Sequence, residues 1–458
     1  MKRLTVTLLA ICVCAGAFAQ SLSKADIKEI RDSFVKDQAT VATQNILSHT
    51  GDIASLAVNH QRDGKLDNHF KYEVKTLKSA PNQYSSGRCW LFTSLNGIRP
   101  YAQEKYNVKD FRFSHVYDSF WDLFEKSNAF LEGIIETVNE DIDSRIVSTL
   151  FKTPVGDGAA WNYFVNIAEK YGVVPESVMP ETIHSNHTAN MRTLLNQKLR
   201  KEGWEIRQKA AAGVKEADLR VYKVEVLKDV YRILALCMGE PCTEFTWTYQ
   251  DKAGKTQTVT TTPQEFYKSI VPADYGYKTT VMIMNDPTRE YYKVYEIEHY
   301  TNTVEGRNWV YLNLPNDEIK AGILATIKDG KPAYVSCDWR KGMNIPAGTC
   351  DLENYDYNSL FGVDFDMDKK ARILTRYSAS AHAMLITACD TDENDKPVKW
   401  QFFNSWFMSG EKSKVIFTDE WFDEYIFRVG LERKYLSEKA LKAADQASIK
   451  VPMWDYMN

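Results

Sequence analysis

The 458-residue chain has room for three average domains or for one elaborated domain, and its composition (44% hydrophobic, 26% charged, 12% aromatic) is that of a globular protein with a sizeable core. Its formal charge of −4 arises from basic and acidic residues scattered among one another, so the clustered Lys and Arg that release counterions from nucleic acid are missing from the sequence. There is no low-complexity tract or repeat, and beyond the N-terminus no run approaches the roughly 18 apolar residues that read as a membrane span.

The chain opens "MKRLTVTLLAICVCAGAFAQ": two cations, a short apolar run, then Ala17-Phe18-Ala19 as a small-x-small cleavage site. This order predicts a signal peptide over residues 1–19 and an exported protein, periplasmic or secreted, two units more negative once Lys2 and Arg3 are removed. Neither Cys12 nor Cys14 follows the small residue of a lipid-anchor site. Six cysteines remain: Cys89, Cys237, Cys242, Cys337, Cys350 and Cys389. An exported protein could pair them, and the close pair in "CMGEPC" is open to either state.

Residues 20–60 read as a packing arm of one or two helices carrying Ile27, Ile30, Phe34, Val41 and Ile46. After Ser85-Ser86-Gly87, the spacing of Trp90, Leu91, Leu95 and Ile98 predicts a helix beginning at Cys89 and bending or ending near Pro100. "SHVYDSFWDLFEKSNAFLEGIIETV" and "WNYFVNIAEKYG" predict two more helices, the second closed by Gly172, and residues 190–240 are helical again. From "TEFTWTYQD" onward the pattern alternates, through "TQTVTTT", "TTVMIMN", "KVYEIEHY" and "PAYVSCDW". The class is α+β, a helical half followed by a strand-rich half.

Chemistry concentrates in "SAHAMLITACDTDENDKPVKWQFFNSW". Two strand-like runs, Ala383 to Cys389 and Val398 to Phe403, flank turn material centred near Asn394, which predicts an antiparallel hairpin. Its register sets His382 across from the stretch Asn404 to Trp406. An imidazole serving as a base needs one nitrogen free and the other held by an acceptor, a role an Asn side chain can fill. Taken without Cys89, His382 reads rather as a hairpin-end histidine bonded to a convenient amide. Cys89 gives it a purpose, because a helix N-terminus and a nearby imidazolium both favour the thiolate. Gln83 could add its amide to the Cys89 N–H in holding an oxyanion. His184 and His187, in "HSNH", lack partners at metal spacing and read as loop residues, so no metal site is expected.

Gln83, Cys89-Trp90, His382 and Asn404-Ser405-Trp406, in that order, resemble the papain-like cysteine peptidases. The segments "SSGRCWLF", "FSHVYDSFWD", "NIAEKYGVVPES", "YRILALCMGEP", "SAHAM", "TDEWFDEY" and "PMWDYM" narrow the resemblance to the bleomycin hydrolase and aminopeptidase C branch. The resemblance implies a two-lobed fold, a helical lobe and an antiparallel β lobe, within a peptidase domain over residues 20–458. Nearly three hundred residues separate Cys89 from His382, against roughly 130–150 in papain, which places a helical insertion at 190–240. It further implies Cys89 as nucleophile, His382 as general base and acid, Asn404 as its orienter, Gln83 as oxyanion donor, peptide substrates, no cofactor, and a homo-oligomer, often a hexamer.

Three departures bear on substrate binding. Phe407 follows Trp406 where the family has Gly. Asp157-Gly158-Ala159-Ala160-Trp161 stands where relatives have Asp-Gly-Gly-Gln-Trp, so the Ala159 methyl is expected to crowd the bound peptide. The tail, residues 448–458, stops at Asn458, about three residues early, which shortens its reach by roughly 10 Å and predicts a more open cleft. An exported aminopeptidase is the first reading, with Gly158, Ala159, Trp406 and Asn458 touching substrate. An endopeptidase, an inactive peptide-binding protein and an acyl transferase are the alternatives.

Overall fold

The computed structural model describes residues 21–406 and 413–458. Residues 1–20, where the signal peptide is expected, and Phe407 lie outside the described residues. Contacts divide the chain into a small unit, up to residue 58 together with 356–363, and a large one, 59–355 with 364–458.

In the small unit, local capping sets the helices. Ser23 and Asp26 form a reciprocal capping box at the start of Lys24–Asp32, and Asp37 accepts from Thr40 N–H to open Gln38–Leu47. Helix Ile53–Ala57 packs on Tyr357–Phe361, with Asp356 N–H donating to Ala57 O at 2.7 Å. Ile27, Ile30, Phe34, Val41 and Ile46 are all exposed in the chain, contrary to the packing role expected of them.

The large unit begins with helices. Cys89–Lys105 continues past Pro100, which forfeits one backbone bond while Ile98 and Ala102 stay fully buried. His115–Glu136 starts at Ser114, whose hydroxyl accepts from Tyr117 N–H, and Trp161–Tyr171 stops at Gly172. That glycine is obligatory: φ is 77° and a Cβ would lie 2.1 Å from the Pro263 carbonyl. Ala189–Ala211 and Glu216–Met238 occupy the 190–240 stretch, and the second buries a stripe of Leu219, Val226, Val230, Leu234 and Met238 against its neighbours.

Among the described residues the main sheet has twelve strands and is mixed rather than antiparallel, a correction to the expected β lobe. Three pairs are parallel: Thr280–Met284 with Trp309–Asn313, Lys293–Ile297 with Ile449–Val451, and Thr349–Cys350 with Lys414–Thr418. Each joins strands separated by a loop, helix or further strand, which frees them from hairpin direction. Phe245–Gln250 and Thr256–Thr261 form a separate two-stranded sheet. Their alternation is real, but the buried face, Phe245 and Trp247, packs on Tyr106 and Phe266 of the helical region.

The central strand, His382–Thr391, pairs with Pro397–Phe403 through Leu385↔Phe403 and Ile386↔Phe402, the register the turn position implies. On its other edge lies Ala333–Cys337, with His382 opposite Cys337. Alternate residues serve two cores: Ala383 and Leu385 join the cluster containing Leu91 and Leu95 of the Cys89 helix, while Met384 and Ile386 join that of Ile323 and Trp400. The Cys89 helix thus lies across the strand that begins with His382.

Candidate active site

Cys89 is the first residue of its helix, where the backbone N–H has no intrahelical acceptor. The preceding residue, Arg88, offers no side-chain cap. Its guanidinium turns away to Glu181 at 2.9 Å and to Ser86 Oγ at 3.0 Å. The helix therefore presents free donors and the positive end of its dipole at the sulfur. Gly87 fixes this start, since its N–H donates to Asp157 Oδ2 at 3.1 Å and a Cβ would sit 2.7 Å from Asp157 Cβ.

His382 is buried, and its Nε2 lies 2.8 Å from Asn404 Oδ1. The Asn404 amide has one orientation, because Nδ2 donates to Trp406 O at 2.6 Å while Oδ1 also accepts from Trp406 N–H at 3.1 Å. With Oδ1 facing the ring, His382 carries its proton on Nε2 and leaves Nδ1 as a base. Trp339 and Trp406 wall the imidazole, their rings 5.5 and 5.6 Å from it. They keep water from that hydrogen bond.

Gln83 is held at both ends. Nε2 donates to Ser86 O at 2.8 Å, Oε1 accepts from Ser405 Oγ at 2.9 Å, and the Gln83 N–H donates to Ser405 O at 2.9 Å. Tyr84, at φ 51°, turns the loop back so that Ser86 can meet the Gln83 side chain. One of the two Nε2 hydrogens stays available.

Cys89, His382 and Gln83 line one cavity of about 390 Å³, and Gly158, Ala159, Trp406 and Asn458 line it too. Asn404 stands behind the imidazole. Sequence reasoning missed what holds these walls. Lys126 bonds Asp122 at 2.6 Å, Gly156 O at 2.8 Å and Gly158 O at 3.1 Å, while Trp90 Nε1 donates to Asp157 O at 2.7 Å. Ser405, beside Asn404 in the same motif, was the nearest signal for the Gln83 clamp. Nothing in the sequence pattern marks Lys126, because its partners are backbone carbonyls.

The tail reaches the catalytic cavity. Arg428, lying between Tyr300 and Trp309, donates to Met457 O at 2.8 Å and to Tyr300 Oη at 2.7 Å, and Arg289 pairs with Asp455. Arg376 donates to Trp454 O at 3.0 Å and stacks over Tyr456. These contacts carry residues 454–458 into the site, so Asn458 forms part of the cavity wall despite the short tail.

Burial pushes the Cys89 thiol up, while the backbone N–H groups of Ala383, Trp90 and Cys89 act in the opposite direction. Burial also lowers His382 to about 4, with the Asn404 bond opposing it and the Arg340 charge adding to it. Each group alone prefers neutrality. A proton moved from sulfur to Nδ1 would place opposite charges in the one cavity that both residues line, each favouring the other's charged form. The fully buried thiols, Cys337, Cys350 and Cys389, are raised by burial and are poor nucleophiles. All six described cysteines are free thiols, Cys237 and Cys242 included. Among the described residues no group of His, Cys, Asp and Glu could hold a metal ion. His187 lies in the loop pairing with Ser85, whereas His184 belongs to the short helix Ile183–Asn186.

Known proteins resemble this chain over most of its length. Residues 21–458 match the Peptidase C1-like family. Human bleomycin hydrolase is 34% identical over 431 residues, covering 92% of this chain and 94% of the relative. Aminopeptidase C of Lactobacillus delbrueckii subsp. lactis is 36% identical over 417 residues, covering 90% and 92%. The crystal structure of PepW from Lactobacillus rhamnosis HN001 superimposes with a TM-score of 0.89 at 33% identity, covering 95% of this chain and 98% of that one. The chain belongs to the Peptidase C1-like family and is a cysteine peptidase.

Proposed function

We propose that this protein is an exported cysteine aminopeptidase in which Cys89, His382, Asn404 and Gln83 carry the chemistry. The observation that carries this reading is the 2.8 Å bond from His382 to Asn404, which frees Nδ1 in the cavity that Cys89 also lines. In the first step the Cys89 thiolate attacks the peptide carbonyl carbon. The carbonyl electron pair moves to oxygen, where the Cys89 N–H and the spare Gln83 Nε2 hydrogen receive it. Imidazolium Nδ1 then gives its proton to the leaving amine as the C–N bond breaks, which leaves a thioester. Water, losing a proton to Nδ1, attacks the thioester carbonyl, and collapse expels the thiolate, which regenerates the enzyme.

Two observations favour attack at the N-terminal end of peptides. Relatives carry the name aminopeptidase C, and Asn458 lines the catalytic cavity, where it would limit the acyl portion to a short length. Export rests on the order of charge, apolar run and small residues in the leader. Among the described residues no helix is long and apolar enough to cross a membrane.

The test is mass spectrometry of digests of one peptide set offered with free and with acetylated N-termini. Single residues should be released stepwise from the free set, and the acetylated set should survive. Equal cleavage of both would reject an aminopeptidase, and no cleavage of either by the reduced enzyme would reject the peptidase.

A further inference from the structure

A turn beside the imidazole supplies a feature that the hydrolysis itself does not use. Strand Ala333–Cys337 ends against His382, and the chain turns at once through Asp338 to Lys341, with the Lys341 N–H donating to Asp338 O at 3.1 Å. Asp338 anchors the turn inward, accepting from Ser378 Oγ at 2.7 Å. Trp339, only 5% exposed, lies 5.5 Å from the His382 ring and edge-on to Trp406 at 5.0 Å. Arg340 is exposed, and its guanidinium stands 5.2 Å from the Trp406 ring. The next cation, Lys341, points elsewhere, its Nζ 3.5 Å from the Tyr377 ring. Among the described residues no carboxylate forms an ion pair with Arg340, whereas most buried or half-buried arginines nearby, such as Arg372 and Arg428, are engaged by Glu424 or by backbone and tyrosine oxygens. The indole leaves the edge N–H groups of the guanidinium free to bond.

The direction of the peptide follows from the proposed reaction, on which this inference rests. The acyl part occupies the side walled by Gly158 and Asn458. The leaving amine must pass the imidazole that protonates it, so the leaving portion runs over Trp406 toward Arg340. We propose that Arg340 selects peptides whose leaving portion bears a carboxylate close to the cleaved bond. Two sources present that group there: an acidic side chain at the new N-terminus, or the α-carboxylate when the leaving group is a single amino acid. A guanidinium with no ionic partner offers two parallel N–H donors to such a carboxylate. That Arg340 also disfavours the charged form of His382 places its field at the reacting end of the cleft.

The experiment compares kcat/KM within two substrate pairs sharing one unblocked acyl residue, Glu-amide against Gln-amide leaving groups and free Gly against Gly-amide. Within a pair, any effect of Arg340 on the catalytic groups cancels. Wild-type enzyme should favour the carboxylate-bearing member of at least one pair by about tenfold, and the responding pair identifies the source. Arg340→Gln should bring that ratio to about one, and Arg340→Glu should reverse it. A wild-type ratio near one in both pairs, or a preference that survives Arg340→Gln, overturns the proposal. Hydrolysis of the Gln-amide and Gly-amide substrates by the wild type separates that failure from failure of the peptidase reading, in which neither would be cleaved.

Discussion

The two flanks of the cleft are built differently. On the Gly158–Asn458 side the walls are main chain, held by buried side chains: Lys126 bonds two loop carbonyls, Trp90 a third, and Arg428 the carbonyl of Met457. On the Trp406 side the walls are side chains, two indoles and an exposed guanidinium. A backbone wall is insensitive to which side chains it carries but depends on its clamps. A side-chain wall can change its chemistry by single substitutions without disturbing the fold. In the proposed reaction, how much of a peptide enters is thus set by the clamped flank, and what leaves is sorted by the other.

Breaking a clamp should have the largest effect. Lys126→Met leaves Asp122, whose burial already raises it, beside two carbonyls without their donor. It should cost about 3–5 kcal/mol in thermal or denaturant unfolding, whereas Arg340→Gln on the open flank should stay within about 0.5 kcal/mol. Gln83→Ala should lower kcat by roughly 10²–10³ with little change in KM, the signature of a donor that acts on developing charge. Arg428→Ala frees the carbonyl of Met457 and should raise the acetylated-to-free cleavage ratio by about tenfold, since it loosens only the clamped flank. The smallest effect is expected at Ser405→Ala, which removes one bond to Gln83 and should reduce kcat about fivefold, the worth of about 1 kcal/mol. Equal responses of both flanks to these changes would break the contrast.

Much of the site was legible because it depends on short-range patterns. The turn near Asn394 fixed a two-residue periodicity that places His382 opposite the Asn404 to Trp406 stretch, and the structure has that register. The start of the Cys89 helix followed from a turn signal and apolar spacing. What escaped depends on contacts between distant segments. The parallel strand pairs join residues far apart in sequence, so alternation alone could not reveal their direction. The hairpin Phe245–Gln250 with Thr256–Thr261 has the right period but a different partner surface. The reach of the tail was judged from chain length, and what carries it into the cavity is Arg428, Arg289 and Arg376 from other parts of the chain.

The central claim is that Cys89 and His382 share one proton, with Asn404 holding the ring in place. Alkylation of Cys89 by iodoacetamide across pH, followed by peptide mapping, tests it most directly. Because burial lowers His382 to about 4, imidazole Nδ1 remains able to take the thiol proton until the pH falls through that value, so fast labelling should persist into mild acid and then decline. In His382→Ala the half-buried Cys89 thiol has no proton acceptor, and labelling should require alkaline pH, at or above the roughly 8.5 of an ordinary thiol. Asn404→Ala should fall between. A wild-type profile rising once near 8.5 and unchanged by His382→Ala would contradict the account.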